Sequence, residues 1–182
     1  DPFETLISFI ISANNNIPRI RMIIERLCEA VGKSIAGGFH AFPTAEEMKD
    51  LDEEFYSRIG AGYRASYLVK TVKAINEGFD LSAPYSMETE DAHRYLLGLC
   101  GVGPKVADCI LLFAYAKGDV FPVDTWIKKS AKAYFKIESD DITKIRKELI
   151  SLFHGDSGVV QQYIYYYIRN NQSPLSGDSL KS

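Results

Sequence analysis

Residues 96–124 read LLGLCGVGPKVADCILLFAYAKGDVFPVD, and their reading decides the fold. At the centre stands Gly101-Val102-Gly103, followed at once by Pro104 and Lys105. Glycine lets a chain turn at positive φ and approach a ligand closely, and proline suits the first position of a helix. The pattern predicts a helix over Ser86–Leu97, a tight hairpin, and a second helix over Pro104–Ala116. The second helix would begin with unpaired amides and the positive end of its dipole, a natural seat for a phosphate. A plain interhelical turn with a glycine cap is the competing account. Two glycines around one apolar residue, with proline opening the next helix, are more specific and favour nucleic-acid binding.

Lys105 has two readings in that setting. It can pair with a phosphate, or it can act as a nucleophile that forms a Schiff base. A lysine must lose its proton to attack, and the positive end of a helix favours the neutral amine. Asp124, in Pro122-Val123-Asp124, is expected as the N-cap of a further helix under either reading. A carboxylate at that place can also stabilise a sugar that develops positive charge. Hairpin, lysine and aspartate together point to chemistry on a nucleic-acid sugar.

Working outward, Cys109 lies four residues after Lys105 and shares its helix face. It is either a core cysteine or a pocket wall. Gln161 and Tyr165 form another i, i+4 pair, on the last helix. Their chemistry suits reading a base edge and stacking on its ring, while an amphipathic, half-buried helix explains the tyrosines around them equally.

The rest of the chain reads as helix. Apolar residues at Phe3, Leu6, Ile7, Ile10 and Ile11 form a helical stripe that Asn14-Asn15-Asn16 ends. Ile17–Val31 follows, with Pro18 in its first turn. Thr44-Ala45-Glu46-Glu47 is a capping box, so a short helix is expected after Pro43. Further helices are expected over Asp52–Ile59, from the Gly60–Arg64 turn to Gly78, and over Asp124–Phe135, Asp140–Phe153 and Gly158–Asn170. No strand and no internal repeat is evident. The fold class is all-α.

The chain has 182 residues, enough for a substantial core, with 46% hydrophobic and 25% charged residues. Its formal net charge of −3 argues mildly against nucleic-acid binding, but a local basic or amide-rich surface suffices for phosphate contact. Three cysteines, Cys28, Cys100 and Cys109, give no disulfide framework and cannot form a four-cysteine iron–sulfur cluster within this chain. No apolar run approaches a membrane span, so no membrane partner is expected. The sequence starts at Asp1-Pro2 without an initiator Met, which reads as a fragment.

These motifs resemble the helix-hairpin-helix, GPD-type DNA glycosylases, and within them the 8-oxoguanine DNA glycosylase group. Three distant stretches carry the resemblance: Asp1–Arg19 with its NNN-x-x-R segment, Gly60–Arg64 (GAGYR), and Leu99–Asp124. It covers about residues 1–170. The resemblance implies a two-lobed catalytic core, with lobe one about 21–104 and lobe two about 1–20 plus 105–172. Residues 173–182 would be a flexible tail.

It further implies that Lys105 attacks the sugar C1′ with Asp124 as its catalytic partner. Cys109 and Tyr165 would flank the flipped base and Gln161 would read its Watson–Crick edge. Asn14 would fill the vacated space, Tyr63 would wedge the stack, and Arg19 and Arg64 would contact the orphaned cytosine. Gly101, Val102 and Gly103 would hold the phosphate.

The implied activity is excision of 8-oxoguanine opposite cytosine with β-elimination. It would use no metal or organic cofactor and would act as an intracellular monomer on double-stranded DNA containing an oxidised purine. A monofunctional or alkylbase glycosylase and a non-catalytic binding module are the alternatives. The sequence departs from the family in three ways. Family members usually carry an N-terminal β-rich domain ahead of this point, whose backbone carbonyl would meet the N7–H of the oxidised base and so discriminate against normal guanine; the sequence does not include it. Trp126 stands where animal members have histidine. Gln162 and Tyr163 beside Gln161 leave the register of that helix open.

Overall fold

The computed structural model describes residues 1–170. The expected flexible tail, 173–182, lies outside the described residues. Nine α-helices form within them: α1 Pro2–Ser12, α2 Ile17–Val31, α3 Glu53–Ile59, α4 Ala65–Asn76, α5 Thr89–Leu96, α6 Pro104–Tyr115, α7 Thr125–Phe135, α8 Ile142–Phe153 and α9 Ser157–Asn170. No strand occurs among the described residues; the 33–41 loop closes through an isolated Ser34–His40 bridge. The chain groups into two compact units, Asp1–Ala116 and Lys117–Ser182.

In the first unit the helix starts follow cap chemistry. Asp1 Oδ1 accepts from the Glu4 amide at 2.8 Å, Asn16 Oδ1 from Arg19 at 3.0 Å, and Asp52 Oδ1 from Phe55 at 2.8 Å. Such caps satisfy amides that no helical carbonyl can reach. The apolar stripe of α1, Leu6, Ile7, Ile10 and Ile11, is fully buried. It packs chiefly on α6, and also on α2 and α4. Each of those side chains stabilises the unit by about 1.5–3 kcal/mol through burial. This packing carries the chain from the Asn14 turn to the helix that bears Lys105.

The helix expected after Pro43 does not form; residues 45–50 are turns. The capping box itself closes: Glu47 Oε2 accepts from the Thr44 amide at 2.8 Å, and Thr44 Oγ1 accepts from the Glu47 amide at 3.3 Å. Asp52 then starts α3. The backbone bonds there are mostly of the tighter i+3 kind, Met48 to Ala45, Lys49 to Glu46 and Leu51 to Met48, so the segment closes as successive turns rather than as a continuous i+4 ladder.

The second unit is a three-helix cluster of α7, α8 and α9 around Phe121, Val123, Ile127, Ile145, Leu149 and Ile168. Ahead of α7 runs an extended segment whose carbonyls are bound by the start of α9. Ser157 Oγ approaches the Gly118 and Val120 carbonyls at 3.2 and 3.1 Å, and the Gly158 amide donates to Gly118 at 2.8 Å. The side chain of Gln161, one turn on, completes the set at Pro122.

Candidate active site

The site residues divide between the two units, and each set takes its geometry from its own. In the first, Gly101 adopts φ +82° and Gly103 precedes α6 without a side-chain cap. A Cβ on Gly101 would lie 2.9 Å from Tyr67 Cβ, closer than side-chain carbons pack, so the turn is seated flush on α4. Thr71, one turn beyond Tyr67, donates from Oγ1 to the Cys100 carbonyl at 2.7 Å. Beneath the hairpin, His93 Nε2 of α5 lies 3.3 Å from the Pro104 carbonyl. Val102 is buried while Gly103 is exposed.

Lys105 is half-buried at the second position of α6. Its Nζ rests 5.4 Å from the centroid of the Phe9 ring, and Phe9 stacks on Phe113 with centroids 5.7 Å apart. Cys109, buried one turn along the same face, lies between Lys105 and Phe113 in the helical order. The lysine is thus presented on an aromatic platform rather than drawn into a salt bridge: the ion pairs found among the described residues do not include it.

At the α1–α2 turn, Asn14 is exposed at φ +48°. Arg64 is buried and holds that turn to the Gly60–Arg64 segment. It donates from Nε to the Ala13 carbonyl at 2.7 Å, from Nη2 to the Asn14 carbonyl at 2.7 Å and also to Ala13, and from Nη1 to the Ala61 carbonyl at 3.2 Å. Its guanidinium also lies 4.5 Å from the Tyr63 ring centroid. Tyr63 is 56% exposed, donates to the Ala13 carbonyl at 3.2 Å, and meets Tyr67 edge-on at 5.9 Å. Arg19 is exposed and donates from Nη2 to the Gly60 carbonyl at 2.9 Å. Asn14, Arg19, Tyr63 and Arg64 therefore meet at one place. Tyr67 links that cluster to the hairpin.

In the second unit, Asp124 caps α7: its Oδ1 accepts from the Ile127 amide at 2.8 Å. Gln161 is 4% exposed and donates from Nε2 to the Pro122 carbonyl at 3.1 Å. Gln162, half-buried, donates from Nε2 to Gln161 Oε1 at 2.6 Å, while Tyr163 is 74% exposed. Burial thus sets the register of α9 with Gln161 inward. Tyr165 is half-buried against the core of this unit. Trp126 is exposed, with Lys129 Nζ 5.5 Å from its ring centroid.

Sequence reasoning missed Phe9 and Tyr67, and it met Gln162 only as a rival that left the register of the last helix open. Phe9 reads as one more apolar residue of α1, and Tyr67 as an ordinary member of α4. The available signal was the i, i+4 step from Tyr63 to Tyr67 to Thr71, which puts all three on one face.

Residues 7–154 match the family profile of the HhH-GPD superfamily base excision DNA repair protein. The N-glycosylase/DNA lyase of Saccharomyces cerevisiae is 36% identical over 156 residues, covering 77% of this chain and 42% of the yeast protein. The N-glycosylase/DNA lyase OGG1 of Arabidopsis thaliana is 37% identical over 144 residues, covering 74% of this chain and 39% of its own. This chain thus spans less than half the length of either relative. Among solved structures, the 8-oxoguanine glycosylase/lyase of Clostridium acetobutylicum, in complex with DNA containing cytosine opposite 8-oxoguanine, superposes with a TM-score of 0.90 at 41% identity. The match covers 94% of this chain and 61% of that one.

Proposed function

This chain belongs to the HhH-GPD superfamily of base excision DNA repair proteins, and on that premise we propose that it is a bifunctional DNA glycosylase and abasic-site lyase that removes 8-oxoguanine opposite cytosine. The observation that carries the reading is the place of Lys105. It is half-buried at the second position of α6, directly behind the hairpin, on a helix whose first amides have no side-chain cap. Those amides suit a phosphate of the damaged strand, which brings a sugar toward the lysine. The yeast and plant relatives carry both activities in their names, and the clostridial relative was solved with the proposed lesion pair.

The base must first leave the stack, since C1′ is out of reach inside a duplex. Neutral Nζ of Lys105 then attacks C1′. The C1′–N9 bond breaks, its electron pair leaves with the base, and the base takes up a proton. The Asp124 carboxylate, fixed by its bond to the Ile127 amide, stabilises the positive charge that builds on the sugar. Nζ then gives up a proton; breaking C1′–O4′ opens the ring, O4′ keeps the electron pair and takes up a proton, and a protonated Schiff base remains between Nζ and C1′. Loss of a C2′ proton and cleavage of the C3′–O bond expel the phosphate, nicking the strand on the 3′ side. Water releases the imine and restores the lysine.

The remaining assignments belong to the same proposal. Gln161 reads the base edge, and Cys109 and Tyr165 take its faces. Asn14 fills the gap, Tyr63 wedges the stack, and Arg19 and Arg64 meet the orphaned cytosine. The two lobes, about residues 21–104 and residues 1–20 with 105–172, are part of it too. So are action as a monomer and action where genomic DNA lies, in the nucleoid or, in a eukaryote, the nucleus.

An 8-oxoguanine·cytosine duplex with borohydride tests the reading. The expected outcome is free base, a nick and a covalent adduct. Base release with neither nick nor adduct would make the enzyme monofunctional. Binding without any product would make it a DNA-binding module.

A further inference from the structure

Gln162 donates from Nε2 to Gln161 Oε1 at 2.6 Å, and Gln161 donates from Nε2 to the Pro122 carbonyl at 3.1 Å. A carboxamide fits the same space turned end for end, so only its partners decide which end carries oxygen. Here the partners decide it in sequence. A backbone carbonyl can only accept, so the nitrogen of Gln161 faces Pro122. The oxygen of Gln161 then requires a donor, and Gln162 supplies one. An amide side chain has two N–H donors and two acceptor lone pairs on its oxygen. One of each is engaged, leaving one donor and one acceptor for a ligand. That is the complement of guanine's Watson–Crick edge, where N1–H donates and O6 accepts. An adenine-type base reverses the order, with N1 accepting and the N6 amine donating.

We propose that Gln162 contributes to specificity: together with the Pro122 carbonyl, it holds the Gln161 amide in the orientation that fits a guanine-type lesion and opposes an adenine-type one. The inference rests on the reading of Gln161 as the residue that meets the base. Gln162 itself touches no substrate; it is a positioning residue. Its contribution depends on hydrogen-bond donation, not on size.

The test compares kcat/KM for 8-oxoguanine and for 8-oxoadenine, each opposite cytosine, in the wild type and in Gln162→Lys, Gln162→Leu and Gln162→Glu. Lysine can only donate, leucine does neither, and an ionised glutamate can only accept. The ratio in favour of 8-oxoguanine is expected to persist in Gln162→Lys. It should fall about three- to tenfold in Gln162→Leu, the factor set by one hydrogen bond of ordinary net strength. It should fall further in Gln162→Glu, whose carboxylate repels the Gln161 oxygen and favours the turned amide. Melting curves establish that all three variants fold. Equal ratios across the folded variants, or ratios that follow side-chain size, overturn the inference while the glycosylase reading stands. A wild type that releases neither base overturns both.

Discussion

The side-chain amide of Gln161 donates to the carbonyl of Pro122 at 3.1 Å, two residues ahead of Asp124. The proposed base reader therefore also supports the segment that delivers the proposed catalytic carboxylate. With Gln161→Leu, the buried Pro122 carbonyl loses its partner, and the cost is expected at about 1–3 kcal/mol of stability. Nicking of a preformed abasic site, which has no base to read, should fall as well. Undiminished nicking there, with base excision lost, would confine Gln161 to base recognition.

The two arginines near Asn14 should separate by stability. Arg64 is buried and holds three backbone carbonyls, those of Ala13, Asn14 and Ala61. Arg64→Ala is expected to cost about 3 kcal/mol or more, since several charge-assisted bonds are lost together. Arg19 is exposed, with one such bond to Gly60. Arg19→Ala should melt close to wild type yet blur the preference for cytosine over adenine opposite the lesion. An unchanged cytosine-to-adenine cleavage ratio would remove Arg19 from partner-base checking.

Gly101→Ala should abolish damage-specific DNA binding, measured by fluorescence anisotropy. Two strains combine: a positive φ, and a Cβ placed 2.9 Å from Tyr67 Cβ. Adding Tyr67→Ala should not restore binding, because alanine keeps the offending Cβ and the φ is unchanged. Restoration by the double variant would show that ring contact alone shapes the hairpin.

How much of this was legible in the sequence differs by residue. The helix start at Asp124 was expected from cap chemistry, which is local, and the hairpin from its glycines and Pro104; the caps at Asp1, Asn16 and Asp52 obey the same chemistry but were not read. The capping box at Thr44 misled because its bonds close a run of i+3 turns over residues 45–51 as readily as they start an α-helix. Burial of Arg64 was illegible, since its carbonyl partners Ala13 and Asn14 lie some fifty residues away. The inward register of Gln161 was equally hidden. Three candidates, Gln161, Gln162 and Tyr163, stand side by side, and only the extended 118–122 segment selects among them.

The Lys128 ammonium, 2.8 Å from Asp140, hydrogen-bonds its carboxylate and holds its pKa below the usual carboxylate range. The folded value lies under the unfolded one, about 3.9. The pair's contribution is therefore present above that pH and is lost as pH falls through the folded value. In an NMR titration, the Asp140 midpoint should rise in Lys128→Ala. Equal midpoints would mean that the pair does not persist in solution.

The central claim is that Lys105 Nζ attacks the sugar. Borohydride reduction during turnover of an 8-oxoguanine·cytosine duplex, followed by mass spectrometry of the cross-linked peptide, reads that bond directly. The adduct is expected on Lys105, and Lys105→Gln should bind the duplex while giving neither adduct nor nick. An adduct mapped to another amine, or nicking retained by Lys105→Gln, would contradict the account.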